Sequence, residues 1–312
     1  MDGTNQWLDP EAGGIAEAVA LLRAGELVAI PTETVYGLAA RADSAEAVAA
    51  IYRTKGRPDF NPLIVHVSGV EQARALAQFN DRAEELAALF WPGPLTLVLP
   101  VRADSGIAPA VTAGLPTIAL RSPAHPVAAR LLAELGLPLA APSANRSLGV
   151  SPTCAEHVRA SLGADCPPVL DGGPCAAGLE STIIALREGG GWSLLRPGPI
   201  SRDELALLLG EPEELGGGPI EAPGQMLRHY SPGKPVRLDA EAAQDGEFFI
   251  GFGAIGGDVS LSPSGDPAEA AARLYACLHV AAAANQPRIA VAPVPHDGMG
   301  AAINDRLRRA AS

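Results

Sequence analysis

Two kinds of apolar pattern alternate along this chain, stripes at helical spacing and short continuous runs. In "GIAEAVALLRA", residues 14–24, Ile15, Ala18, Val19 and Leu22 fall on one helical face, and Gly25 stops the helix. "ELVAI", "PLIVHV", "LTLVLP", "TIALR" and "LPLAAPSAN" read as buried strands, the last running into a polar loop. Helical patterns separate these runs. "SAEAVAAIYRTKG" begins with Ser44 as N-cap, residues 70–90 run to Trp91 and are broken by "WPGP", and "HPVAARLLAELG" closes at Gly136. "PTCAEHVRASLG" is expected to be capped by Thr153 and ended by Gly163. "STIIAL" and "WSLLR" predict a hairpin across "REGGG", and "SRDELALLLG" opens on a capping box, Ser201 with Glu204. Helices and strands alternate without strict βαβ regularity. The class expected is therefore α/β with α+β character, a mixed sheet surrounded by helices.

From 211 to 235 the periodicity disappears. "EPEELGGGPIEAPGQMLRHYSPGKP" is rich in Gly, Pro and charge, which predicts an inter-domain linker carrying a cluster of Arg228, His229, Tyr230 and Lys234. Beyond it, "GEFFIGFG" and "RIAVAPV" read as strands. "DPAEAAARLYACLHVAAAA" reads as a long helix with Pro267 near its start, and "GMGAAINDRLRRAAS" as a last helix. The organisation expected is a main domain over 1–210, a linker over 211–235 and a small α/β domain over 236–312.

Composition narrows the class. Hydrophobic residues make up 47% of 312, enough for a sizeable core. The formal net charge of -12 argues against a general nucleic-acid or anionic-membrane binder, so stable tRNA binding is not expected. Four cysteines without C-x-x-C spacing suggest reduced thiols rather than zinc or a disulfide scaffold. "MDGTNQWLDPEAGG" has no apolar signal-peptide segment, and no apolar run approaches the ~18 residues of a membrane span. A soluble cytoplasmic protein is expected.

"GFGAIG" sets Gly251, Gly253 and Gly256 in dinucleotide-fingerprint spacing. "GDVSLSPSGD" then delays the next helix, so no helix N-terminus can face a pyrophosphate, and the stretch is read as a turn. No Walker A, G-x-S-x-G or H-E-x-x-H pattern occurs. Chemistry gathers instead in six loops at strand ends. "PTETVYGLAA" offers Thr32, Thr34 and Tyr36. "RTKGRPDFNPLIVHV" sets Arg53, Lys55 and Arg57 against Asp59 alone, around Gly56 and in a loop stiffened by Pro58 and Pro62, which suits phosphate. "GLPTIALRSP" places Thr117 and Arg121 at the ends of an apolar strand, and such an Arg suits a carboxylate. "PSANRSLGVSPT" carries Ser143, Asn145, Ser147 and Ser151, "GLESTII" carries Ser181 and Thr182, and "LLRPGPIS" holds Arg196 before a Pro-Gly-Pro turn.

Taken together, "PTETVYGL", "KGRP", "NPLIVHV", "WPGPLTLVL", "TIALRSPAHP", "APSANRSLGVSPT", "DGG", "GLESTII" and "LLRPG" closely resemble the Sua5/YrdC family of threonylcarbamoyl-adenylate synthases over residues 14 to 210. "APGQMLRHYSPGKPV" looks like the linker and smaller domain of the longer, Sua5-type members. The resemblance implies a twisted sheet with helices around a large positively charged cavity. It also implies synthesis of threonylcarbamoyl-AMP and pyrophosphate from L-threonine, bicarbonate and ATP, with the threonylcarbamoyl group passed on by a partner complex to a tRNA adenosine. Carried over, Thr34, His66, Arg121, Ala141 and Ser181 would hold threonine, with Arg121 on its carboxylate and Ala141 making only backbone or apolar contact. Lys55, Arg57, Asn61, Thr117, Ser143, Asn145, Ser151 and Arg196 would hold ATP, with Tyr230 folding over it. Lys55 and Arg57 would also offset charge during transfer. Mg²⁺ is implied with ATP, held by phosphates and waters and not by a protein metal site. Two other readings stay open: a carbamoyl-adenylate-forming enzyme of another pathway, and a non-catalytic RNA-binding module, which the acidic charge opposes.

Overall fold

A computed structural model describes residues 6–58, 60–187, 189–214, 220–225 and 229–312; Asp59 of the basic turn and Arg228 of the linker cluster lie outside them. The first sheet is built from β1 (Trp7–Leu8), β2 (Val28–Ile30), β3 (Gly37–Arg41), β4 (Ile64–His66), β5 (Leu95–Pro100), β6 (Thr117–Arg121), β7 (Leu139–Ala140), β8 (Val169–Leu170), β9 (Thr182–Leu186) and β10 (Trp192–Arg196). Its order is β1-β8-β2-β3-β7-β4-β6-β5-β9-β10, with parallel and antiparallel neighbours mixed, as the irregular alternation predicted. β9 and β10 form the expected antiparallel hairpin.

The two-residue side-chain period divides the core between the sheet's faces. Val28, Ile30 and Ala39 pack with Ile15, Ala18 and Leu22 of helix Gly14–Arg23 and Leu131 and Leu132 of helix Pro126–Leu135. Ala29, Leu38 and Ala40 turn the other way, onto Ala47, Val48 and Ile51 of helix Ala45–Lys55. Each fully buried Leu or Ile contributes about 1.5–3 kcal/mol. The caps at Ser44 and Ser201 form as read, each side chain accepting the backbone N–H three residues on. Thr153 is a correction. The helix there spans Ala155–Leu162 with Cys154 at its N-cap, and the Thr153 hydroxyl shares a hydrogen bond with His157 Nδ1 instead.

The second sheet holds β11 (Val236–Arg237), β12 (Glu247–Gly251), β13 (Val259–Ser260) and β14 (Arg288–Val291) in the order β11-β14-β12-β13, all parallel. Helices Pro267–Ala283 and Met299–Ala310 accompany it. No helix among the described residues is long and apolar enough to cross a membrane.

The two sheets share one buried cluster. Val35, Val150 and Leu179, from loops of the first, pack with Tyr275, Leu274 and Leu278 of the second. Gly178, with φ 67°, lies at the tightest point, where an added Cβ would fall 2.5 Å from the Ala272 backbone. Gly178→Ala is therefore expected to destabilise the protein by at least about 1–3 kcal/mol from left-handed strain, before the clash is counted. Urea unfolding checks this, and an unchanged midpoint contradicts it.

Candidate active site

β4 and β6 run parallel in the register that sets His66 beside Arg121. Each residue ends its strand, and the side-chain period puts them on the face of Ile64 and Ala119. Arg121 is buried. Its Nε donates to Gly93 O at 3.1 Å, its Nη1 to Thr34 Oγ1 at 2.8 Å, and its Nη2 pairs with Glu33 Oε1 at 2.6 Å. Thr34 is presented by a local turn in which the Thr32 hydroxyl accepts from the backbone N–H groups of Thr34 and Val35. A guanidinium has five N–H donors, so two on Arg121 remain for a ligand carboxylate.

The β9–β10 hairpin supplies the next wall. Arg196 donates Nε to Ser181 O and Nη2 to Ser181 Oγ, both at 3.1 Å, and the Ser181 hydroxyl shares a 2.7 Å bond with Thr96 Oγ1. Arg57 enters after Gly56, whose left-handed conformation (φ 61°) ends helix Ala45–Lys55 and turns the chain. Its Nε and Nη2 donate to the carbonyls of Asn61 and Pro62 at 3.3 and 3.0 Å.

These elements enclose a cavity lined by Thr34, Arg57, Ile64, His66, Arg121, Ala141, Ser143, Ser181 and Arg196 together with Glu180. Three guanidinium groups against one carboxylate make the wall positive in an acidic chain. Pro223, Gly224, His229 and Tyr230 of the linker close it. The space left is about 50 Å³, room for roughly one or two waters. The linker is seated on Arg196, since Pro223 O accepts from its Nη1 at 3.4 Å and a Cβ on Gly224 would meet its Cδ at 2.7 Å.

Burial lowers the pKa of His66 to about 3, with the Arg121 charge adding to the effect, and its Nδ1 has no hydrogen-bond partner among the described residues. His229 is also lowered to about 3, mainly by burial, and its Nδ1 is likewise unpartnered. Burial holds Arg57 down at about 10. Burial disfavours the ionised form of Glu180, yet Arg306 and Arg196 outweigh it and hold the carboxyl at about 2.

Nine of the residues expected at the site, Thr34, Arg57, His66, Arg121, Ala141, Ser143, Ser181, Arg196 and Tyr230, line this cavity. Five others stand off its wall. The Lys55 amine is buried and donates to the carbonyls of Ser143 and Asn145, and burial pushes its pKa well below the ordinary lysine range, with Arg57 adding to the shift. Asn61 lies behind Arg57, its carbonyl also accepting from Tyr52 OH. Thr117 opens β6, at the opposite end from Arg121. Asn145 Nδ2 donates to the carbonyls of Arg146 and Gly149. Ser151 donates to Glu180 Oε1 at 2.6 Å. Sequence reasoning passed over Glu33 and Glu180, although both stand inside the quoted loops "PTETVYGLAA" and "GLESTII"; acids inside apolar strand-end loops were the available signal.

Among the described residues no group of three or more His, Cys, Asp or Glu could hold a metal. Glu33 and Glu180 are committed to Arg121 and Arg306. A protein cage for Mg²⁺ does not fit this site.

A positive cavity at the ends of a mixed sheet, covered by Pro223, Gly224, His229 and Tyr230, defines an α/β protein whose cavity suits a small anionic ligand. The chain belongs to the Sua5/YciO/YrdC family. That family's model, described as telomere recombination, matches residues 20–198, and the C-terminal domain of threonylcarbamoyl-AMP synthase matches residues 200–312. The threonylcarbamoyl-AMP synthase of Bacillus subtilis is 45% identical over 74% of this chain and 67% of its own length. That of Pyrococcus abyssi is 40% identical over 94% of this chain and 92% of its own. The crystal structure of P. abyssi Sua5 complexed with L-threonine superposes with a TM-score of 0.88 and 35% identity, covering 98% of this chain and 97% of that one.

The buried histidines give the fold a pH dependence. The unfolded chain protonates His66 and His229 below pH ~6.5, whereas the folded protein does so only near 3, so between these values the unfolded state binds more protons. Stability is expected to fall by a few kcal/mol as pH drops from ~7 to ~4. Glu180, depressed to about 2, adds a further loss below the ordinary glutamate range. Urea unfolding at several pH values checks this, and His66→Gln should flatten the profile.

Proposed function

We propose that this chain is a threonylcarbamoyl-AMP synthase that joins L-threonine, bicarbonate and ATP and releases pyrophosphate. The observation that carries the reading is the side-by-side placement of His66 and Arg121 with Thr34 and Ser181 in a positive cavity. The likeness of the whole chain to a Sua5 holding L-threonine supports it.

In this reading the threonine carboxylate accepts the two spare N–H groups of Arg121. Thr34 and Ser181 face its polar atoms, and the unpartnered Nδ1 of His66 lies in reach of the amine. The amine takes up bicarbonate and loses water to give a carbamate. A carbamate oxygen attacks the α-phosphorus of ATP, and the bond to the β-phosphate's bridging oxygen breaks as pyrophosphate leaves. This is nucleotidyl transfer, in which positioning and charge neutralisation dominate. Arg57 and Arg196 face the triphosphate with, among the described residues, carbonyl and hydroxyl partners at hydrogen-bonding distance, so an anion there gains two desolvated cations. Lys55 acts by holding the Ser143 and Asn145 backbone. Mg²⁺ arrives as part of the nucleotide substrate, held by phosphates and waters.

ATP does not fit the free space with the linker in place, so the linker opens to admit it and recloses over the product. The intermediate is labile in water, and this cover protects it until a downstream complex transfers the threonylcarbamoyl group to a tRNA adenosine in the cytoplasm. Full-length HypF shares the fold at 22% identity, but the match covers only 30% of that chain.

Pyrophosphate release is expected to require L-threonine, bicarbonate and ATP together; release that ignores threonine overturns the reading. Arg121→Ala should weaken threonine by roughly ten- to hundredfold, the cost of a charge-assisted contact, and change ATP affinity little. Equal losses of both ligands would contradict that role. Tyr230→Ala should shorten the lifetime of the bound intermediate, measured by rapid quench.

A further inference from the structure

The carboxylate of Glu180 has all its partners inside the protein. Its Oε1 accepts from Ser151 Oγ at 2.6 Å, and its Oε2 accepts from Tyr275 OH at 2.8 Å and Arg306 Nε at 2.9 Å. Two of these three donors come from helices of the second sheet's unit, Pro267–Ala283 and Met299–Ala310. Arg306 is fully buried and reaches further than this one pair. Its Nη2 donates to Pro197 O, next to Arg196, at 2.9 Å, and its guanidinium lies 5.4 Å from the centre of the Tyr230 ring. A third group from the same unit, His279 Nε2, meets Ser151 O at 3.1 Å. Ser151 is thus held at both its hydroxyl and its carbonyl by one chain of contacts.

Burying a salt bridge gains little stability over well-packed apolar side chains. What this arrangement does fix is geometry, because a planar guanidinium with directed N–H groups tolerates little displacement of its acceptors. Besides Asp305 on its own helix, which accepts from its Nη1 at 2.7 Å, its acceptors and neighbours are Glu180 on the cavity wall, the carbonyl beside Arg196, and the linker's Tyr230.

We propose that Arg306 is a positioning residue for the nucleotide pocket, acting through Glu180 on Ser151 and through Pro197 and Tyr230 on the wall beside Arg196. The proposal rests on reading this cavity as the ATP site. Arg306 does not itself touch substrate. The second sheet's unit thereby completes the pocket built by the first.

The test uses the full chain and measures ATP binding directly, alongside threonine-dependent pyrophosphate release and thermal unfolding. Arg306→Met is expected to weaken ATP roughly tenfold or more while threonine affinity stays within about twofold, and Arg306→Lys should recover part of the loss. Ser151→Ala and Arg306→Met should be non-additive, because both break the same chain of contacts. If Arg306→Met does not fold, Tyr275→Phe decides. It removes one hydroxyl and no charge, and it should weaken ATP by roughly two- to tenfold without changing threonine affinity.

A folded Arg306→Met that binds ATP like the parent overturns the proposal, as do equal losses of both ligands or full additivity with Ser151→Ala. If Tyr275→Phe is the deciding variant, unchanged ATP affinity overturns it. The two readings fail differently. A parent protein that binds ATP in an Arg306-dependent way but lacks threonine-dependent release refutes the synthase reading alone. A parent that turns over while Arg306→Met binds ATP normally refutes the positioning role alone.

Discussion

The constraint that organises this molecule is the burial of basic side chains away from water. An unpaired buried charge is costly, so each must find compensation inside the fold. Arg121 finds it in Glu33, and Arg306 in Glu180 and Asp305. Among the described residues Lys55 is met by carbonyl oxygens, Arg57 by carbonyls and the Tyr52 hydroxyl, and Arg196 by carbonyls and one hydroxyl. The first group is electrically complete before any ligand arrives. The second is solvated mainly by dipoles and, among the described residues, has no carboxylate within salt-bridge distance, Glu180 being shared with Arg306; it faces the cavity or the loop behind it. A polyanion supplies what these side chains lack, and so a chain of charge -12 can hold an anion.

Glu180 connects the two groups. It lines the cavity, lies close enough to Arg196 to be stabilised by its charge, and is bonded to Arg306 on the other side. Its depressed pKa keeps it an acceptor, so Ser151 donates toward it and not toward the cavity. The linker is drawn into the same network, since Tyr230 lies over Arg306 and Pro223 rests on Arg196. The cavity wall, the segment over it and the second sheet's unit are therefore joined by one network of contacts.

Much of the architecture was legible from pattern alone. Long amphipathic stretches such as residues 126–135 announced their helices, because burying one face is a local demand written at helical spacing. Two-residue strands such as Trp7–Leu8 and Val169–Leu170 were invisible, since their pairing is decided by the neighbour they meet. The segment Gly37–Arg41 read as part of a loop yet forms a strand, held by β2 on one side and β7 on the other. Thr153 carried the right chemistry for a cap but lost the role when its hydroxyl met His157.

The site followed the same division. By itself the sequence determined which loops carry hydroxyl, amide and basic groups, and that they stand at strand ends, because those are local properties of composition and turn chemistry. Only the tertiary structure decided which groups face the cavity. Parallel register set His66 against Arg121, while Lys55 and Ser151 were turned toward partners inside the wall. Arg306 showed no signal in a terminal helix of ordinary composition; its role depends on a carboxylate 126 residues away that only the packing of the two sheets brings within hydrogen-bond reach.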